Sequence, residues 1–342
     1  MKKEIKTLLL AILVAVSVAN AAGKMSHLDR GNQFYQKNQF QAAYAEYQQA
    51  LQAGENPIMS RFNMANTLYQ LKQVGRSLAM YEHLIQDAPS FVRPYINAGG
   101  IYYSMDEVGN ALQLYGRALD VDPKNSTAIK MMGECWLKLN NRGRAIEYFE
   151  KGLQMEPENS SWYYAIVDVY LGIDDHVAAR DVLRRAIRET GENPQFIFYL
   201  AEMEIALEDW VNAAGHLQQA LELNPEQKGG WNRLAYVHES MNNPYLAVMT
   251  LKEAMAGGYI DGSGWIECGR ILTGAGEYSQ AFECYKNAAL KGVNRAKEGL
   301  LMVAWKMRES GNRGRAIQVL EDSEKLFPGD ADVVESLSDF RS

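Results

Sequence analysis

The sequence predicts an all-α solenoid, a stack of short helix pairs built from one repeated unit. Three observations carry this. Small residues return every thirty-four positions without insertion, as Ala43, Ser77, Ala111, Ala145, Ala179, Ala213, Ala247 and Ala281, and Ala316 follows one residue late. A second series keeps the same step: Gly31, Ala65, Gly99, Gly133, Val167, Ala201, Ala235 and Gly269, with Ala304 again one residue late. Within one unit, Ile129, Met132, Gly133 and Trp136 fall at the i, i+3, i+4, i+7 spacing of an amphipathic helix. Small side chains at fixed places on helices let two backbones approach closely, so each unit reads as a tight helix pair.

Residues 1–21 read as an address. Lys2, Lys3 and Lys6 precede an apolar run from Leu8 to Val18, and Ala19-Asn20-Ala21 offers small residues at the spacing a signal peptidase reads. The run is shorter than the roughly 20 apolar residues of a comfortable membrane span. The expectation is cleavage near Ala21 and a chain in the periplasm or secreted, without stable membrane insertion; an uncleaved anchor is the alternative. No cysteine stands near the cut to carry a lipid. Loss of this segment removes three lysines and one glutamate, which takes the net charge from −7 to −9. An acidic chain lacks the basic stripe that neutralises phosphates, so nucleic acid is not an expected partner.

From residue 22 to 329 no Pro/Ser-rich linker interrupts the period, and one array is expected, with repeats starting near 24, 58, 92, 126, 160, 194, 228, 262 and 297. The fourth unit shows the plan. After the helix carrying Trp136, "NNRG" at 140–143 makes a turn, and Ala145, Phe149 and Gly152 mark the inner face of a second helix that Pro157 ends. Pro89, Pro123, Pro225 and Pro328 recur at related places. Residues 330–342 read as a capping helix, with Val333, Val334, Leu337 and Phe340 as its apolar stripe and Asp330 or Asp332 as its N-cap.

These residues resemble the tetratricopeptide repeat, whose pattern runs W-x2-L-G-x2-Y, then A-x3-F, then P. "WNRLAYVH" from Trp231 with Ala247 and Leu251 fits it, as does "WIECGRIL" from Trp265 with Ala281 and Tyr285. Val167 in place of Gly or Ala, Glu204 in place of an aromatic, and "AGGYIDG" in place of the seventh terminal proline depart from it. The resemblance implies a right-handed superhelix of about nine helix-turn-helix repeats. It also implies a concave groove, lined by the first helices, where peptides or partner helices lie.

Enzyme signatures are missing from the sequence. His27, His83, His176, His216 and His238 show no metal-ligand spacing. "GAGE" at 274–277 lacks the rest of a dinucleotide fingerprint and falls where a turn is due. No P-loop, GxSxG or CxxC occurs. No catalytic residue, metal or cofactor is expected. Of the three cysteines, Cys268 and Cys284 fall on the two helices of one repeat at matching heights; a disulfide and two buried free thiols are both open readings.

Function is expected on the stripe of each first helix that packing leaves over. In the first three repeats it is neutral and aromatic: Leu28, Asn32 and Tyr35, then Phe62, Asn66 and Tyr69, then Ile96 and Tyr103. Tyrosine gives stiff contact area with a polar tip, and asparagine can pair with both donor and acceptor of a passing backbone. The same residues also read as inherited framework. The fourth repeat places Lys130 and Glu134 there, and Glu134, Asp168 and Glu202 continue at the thirty-four-residue step beside Tyr164 and Phe198. That acidic row either draws a basic ligand segment or is a solvated face. Tyr236, Arg270 and Trp305 close the stripe as binding anchors, although Trp305 also reads as packed beneath the final helix. Family members that hold a chaperone's terminal carboxylate use cations where this chain has Ile96 and Gly100, so capture of an acidic C-terminus is not expected.

The expected function is a non-enzymatic protein-interaction scaffold of the cell envelope, of undetermined oligomeric state, that binds a peptide segment or partner protein. An accessory of envelope polysaccharide assembly or export, with the same aromatics stacking on sugar rings, is the alternative.

Overall fold

The computed structural model describes residues 25–293 and 295–342, so the expected export segment, residues 1–21, lies outside the described residues. Among the described residues the regular structure is helical throughout. The order is α1 (His27–Gln36), α2 (Phe40–Gln52), α3 (Pro57–Gln70), α4 (Val74–Asp87), α5 (Val92–Ser104), α6 (Val108–Val121), α7 (Ser126–Lys138), α8 (Arg142–Met155), α9 (Ser160–Leu171), α10 (His176–Thr190), α11 (Pro194–Ala206), α12 (Trp210–Leu223), α13 (Gly230–Ser240), α14 (Pro244–Ala256), α15 (Gly264–Gly274), α16 (Tyr278–Leu290), α17 (Ala296–Glu309), α18 (Arg313–Leu326) and α19 (Ala331–Arg341). They form two compact units, α1–α8 ending at Met155 and α9–α19 beginning at Glu156. Within each unit every helix packs on the next, which makes each an α-solenoid of helix pairs.

The helices begin where the sequence supplies caps. Side chains of Asn56, Asn125, Asn159 and Asn193 accept from backbone N–H groups two or three residues on, at the starts of α3, α7, α9 and α11. Pro57, Pro194 and Pro244 sit in the first turn of α3, α11 and α14, where no intrahelical donor is lost. Between the two helices of a pair the chain reverses through one left-handed residue. Asn38, Lys72, Asp106, Asn140, Asp174, Glu208 and Asn242, with φ between 56° and 66°, keep the thirty-four-residue step; Gly276 continues it, and Gly311 follows one residue late. "GAGE" is therefore such a turn.

Both small-residue series are buried. The series from Ala43 to Ala316 has no solvent exposure at any of its nine members, and the hydroxyl of Ser77 donates to the carbonyl of Ala65 at 2.7 Å. In the other series the glycines stand against rings sixteen residues on: a β-carbon on Gly31, Gly99, Gly133 or Gly269 would lie 2.3–2.8 Å from Tyr47, Tyr115, Phe149 or Tyr285. Alanine takes the place where the opposing residue is leucine, as with Ala201 and Leu217, or Ala235 and Leu251, each pair in one core. Ala65 opposite Tyr81 is the exception.

The departures from the repeat pattern each have a local account. Glu204 is wholly buried, and its carboxylate accepts from Arg184 Nη2 at 3.3 Å and meets His216 Nδ1 at 2.6 Å. Without a proline, the seventh repeat turns at Gly257, and Tyr259 stacks flat on Trp231 with ring centroids 5.5 Å apart. In α19 the carboxylate of Asp330 accepts from the N–H groups of Asp332 and Val333. Val333, Leu337 and Phe340 are buried there; Val334 is 44% exposed, which removes it from the expected stripe because it falls one residue off the helical period.

Candidate binding face

In the first unit the stripe residues of α1, α3 and α5 are joined by a two-step hydrogen-bond ladder. Tyr47, on α2, donates its hydroxyl to Asn32 Oδ1 at 3.0 Å, and Asn63 Nδ2 donates to the same oxygen at 3.0 Å. One repeat on, Tyr81 donates to Asn66 Oδ1, and Asn97 Nδ2 donates to that oxygen at 2.8 Å. Burial pushes the Tyr47 and Tyr81 phenols up to about 12, so both stay protonated donors at neutral pH. Tyr35, Asn66, Tyr69 and Ile96 border one cavity of about 410 Å³ whose lining contains no charged residue.

Other expected groove residues of this unit lie elsewhere. Phe62 is a core residue: its ring turns toward Tyr81 at 6.0 Å and lies edge-on to Phe91 at 5.2 Å, although Ile96, at the same place one repeat on, borders the cavity. Leu28 packs against the Tyr47 core, and its backbone N–H donates to Glu55 at 2.9 Å. Tyr103 is outside the cavity lining and half-buried; Lys138 sits 4.6 Å over its ring and donates to its carbonyl at 3.1 Å. Lys138 also pairs with Asp106 at 2.7 Å. Burial, and then the nearby Glu134 charge, raise the Tyr103 phenol above its usual value. Lys130 is exposed and Glu134 half-buried.

In the second unit Tyr164 lies 4.7 Å from Phe196 and 5.9 Å from Tyr199 between ring centroids, and the exposed ring beside it is Tyr199. Phe198, named from the repeat step, is buried in the core between α11 and its neighbours. Asp168 is exposed, yet partial desolvation by its surroundings raises its carboxyl above the ordinary range. Glu202 is raised by burial, with Arg233 pulling the other way across a 3.0 Å ion pair. Half of the expected acidic attraction in this unit is thus already met within the chain.

Tyr236 is half-exposed and edge-on to Trp210 at 6.0 Å. Arg270 is not an open anchor: its guanidinium bonds both Glu239, bidentately, and Glu267, and these carboxylates raise its pKa further. Trp305 packs edge-on against Phe340 at 4.9 Å, with Arg308 over both rings, which joins it to α19 while one side stays exposed.

Cys268 and Cys284 are unbridged, buried and within hydrogen-bonding reach of each other; that bond and burial raise the Cys268 thiol. Among the described residues no group of three His, Cys, Asp or Glu side chains could hold a metal ion, and no helix is long and apolar enough to cross a membrane.

The ladder rests on residues the stripe reading passed over: Asn63, Asn97, Tyr47 and Tyr81. Their signal was present, since each pair is thirty-four residues apart.

Two stretches, residues 92–125 and 137–195, match models described as tetratricopeptide repeat. No curated protein matches the chain. Among solved structures, pilF of Pseudomonas aeruginosa is 20% identical and covers 58% of this chain and 91% of its own, with a TM-score of 0.44. The C-terminal part of a repeat-containing protein from Cytophaga hutchinsonii is 15% identical over 81% of this chain and 99% of its own, with a TM-score of 0.47. A tetratricopeptide repeat protein from Parabacteroides merdae is 15% identical over 72% and 98%, with a TM-score of 0.43. The matched stretches cover α5 and α6, and α8 to α10, and the same turn residue and small-residue contacts recur in pairs on either side of them: the chain is a tetratricopeptide repeat protein.

Proposed function

We propose that the protein is a non-enzymatic interaction scaffold that holds an extended peptide segment on the first-helix face, with Tyr35, Tyr69, Asn66 and Ile96 as its main contacts in the first unit. The observation that carries this reading is the uncharged cavity those residues border. Open tyrosine rings beside fixed carboxamides offer apolar contact and backbone hydrogen bonding at little entropic cost. In the second unit Asp168, beside Tyr164 and Tyr199, takes a basic side chain of the same or another segment. Lys2, Lys3, Lys6 and the apolar run that follows them support export to the envelope, with the mature chain beginning after Ala21.

The test is recovery of partners from native envelope by the full chain and by a Tyr69→Ala, Asp168→Ala variant. Weaker recovery at unchanged helical content and melting supports the face assignment. Undiminished recovery refutes it.

A further inference from the structure

The hydrogen-bond ladder of the first unit breaks off at its third step, and the break leaves a buried hydroxyl. Tyr47, Tyr81 and Tyr115 occupy the same place on α2, α4 and α6. The first two give their hydroxyls to Asn32 and Asn66, each braced by a second asparagine, Asn63 or Asn97. One repeat on, those two asparagines are replaced by Gly100 and Met131. Tyr115 is wholly buried, and among the described residues its hydroxyl has no hydrogen-bond partner. A β-carbon on Gly100 would lie 3.7 Å from that hydroxyl, in ordinary contact, so space for a side chain exists there.

This gap opens into the cavity of the binding face, which Gly100, Tyr115, Thr127 and Met131 line together with Asn66 and Asn97. A buried hydroxyl left unpaired is costly, and the repeat itself shows which group satisfies it, an asparagine carboxamide. The lining has no cation to offset a carboxylate and no carboxylate to hold an ammonium, so a charged tip would pay desolvation without return. A carboxamide is neutral and both donates and accepts. Met131 and Ile96 provide apolar walls for the methylenes behind it.

We infer that the cavity is a specificity pocket for an asparagine or glutamine side chain of the bound peptide, whose carboxamide takes the place beside Tyr115 that Asn32 and Asn66 fill in the preceding repeats. The inference rests on the peptide-binding reading given above and adds which residue the first unit selects.

The test uses a phage-displayed library of short random peptides, panned on the full chain, on Gly100→Asn and on Tyr115→Phe. Gly100→Asn restores the side chain that stands at this helical place in the two preceding repeats, and circular dichroism with thermal melting checks that each variant is folded. The wild-type chain is expected to enrich Asn or Gln at one peptide position. Both variants are expected to lose that preference by about five- to tenfold, the scale of one hydrogen bond, and Tyr115→Phe to favour Met or Leu there instead. Should wild type and Tyr115→Phe enrich the same peptides without a carboxamide preference, the pocket assignment is overturned while peptide binding stands. Should the wild-type chain enrich no peptide at all, the binding-face reading falls and the pocket with it.

Discussion

Gly133 and Phe149 face each other so closely that a β-carbon on the glycine would stand 2.3 Å from the phenylalanine ring. Neither can change size alone. Gly133→Ala is expected to destabilise the chain by about 1–3 kcal/mol through overpacking. Phe149→Leu added to it is expected to recover most of that loss, because alanine and leucine already share this contact at Ala201 and Leu217. Denaturant unfolding of both variants checks this; additive losses in the double variant would show that the two residues do not fit as a pair.

The left-handed turn residue is a second place where a local cost is stored. Lys72 and Glu208 hold φ of 63° and 57°, a region in which a side chain crowds its own backbone. Replacement by glycine at either place is expected to raise stability by about 0.5–1 kcal/mol, less than the full relief because glycine also loosens the unfolded chain. Asn38→Gly, at a residue that tolerates this conformation, is expected to change little. Thermal melting separates the two classes.

Glu204 stands where other repeats place an aromatic or aliphatic residue. Its carboxylate is wholly buried and depends on Arg184 and His216. Removing both partners in Arg184→Met, His216→Leu strands that charge, and a loss of about 3–5 kcal/mol is expected. Glu204→Met, which removes the charge itself, is expected to cost far less. Equal losses in the two variants would contradict this account of the triad.

The acidic part of the face has a pH signature. Desolvation raises the Asp168 carboxyl, so its negative charge disappears at a higher pH than an ordinary aspartate's as the solution is acidified. Binding of an oligolysine peptide to the full chain is expected to be complete near neutral pH and to fall through that raised value, above about 3.8, the ordinary aspartate range. In Asp168→Asn the affinity is expected to be lower at neutral pH and to fall less steeply through that window, the remaining slope coming from Glu202 and the chain's other carboxylates. Calorimetric titration across pH reads both, and an unchanged profile in the variant would remove Asp168 from the contact.

The fold was legible because burial leaves a period that composition cannot hide. The series from Ala43 to Ala316 marks places where two helices touch, and every member is fully buried. The turns kept the same period but were hard to read, since Asn, Lys, Asp, Glu and Gly all serve the one conformation. The binding face was harder still. A thirty-four-residue step fixes which backbone position recurs without saying whether the side chain turns inward, so Phe62 and Phe198 were placed on a face when both belong to the core. Charge pairing was only partly legible: Glu267 stands three residues before Arg270 on the same helix, a spacing that allows the pair, whereas Glu239 lies thirty-one residues away on the first helix of the preceding repeat and shares no spacing signal with it. Tyr115 marks the opposite case, where a break in the period, Gly100 in place of asparagine, carries more information than its continuation.

Site-specific photo-crosslinking in living cells tests the first-helix face most directly. A photoreactive phenylalanine analogue is introduced at Tyr69, inside the cavity of the first unit, and in a separate chain at Glu82, an exposed residue of α4 outside that cavity's lining. Adducts to a partner at position 69 and none at position 82 are the expected result. Adducts at position 82 alone, or at both positions equally, would contradict it.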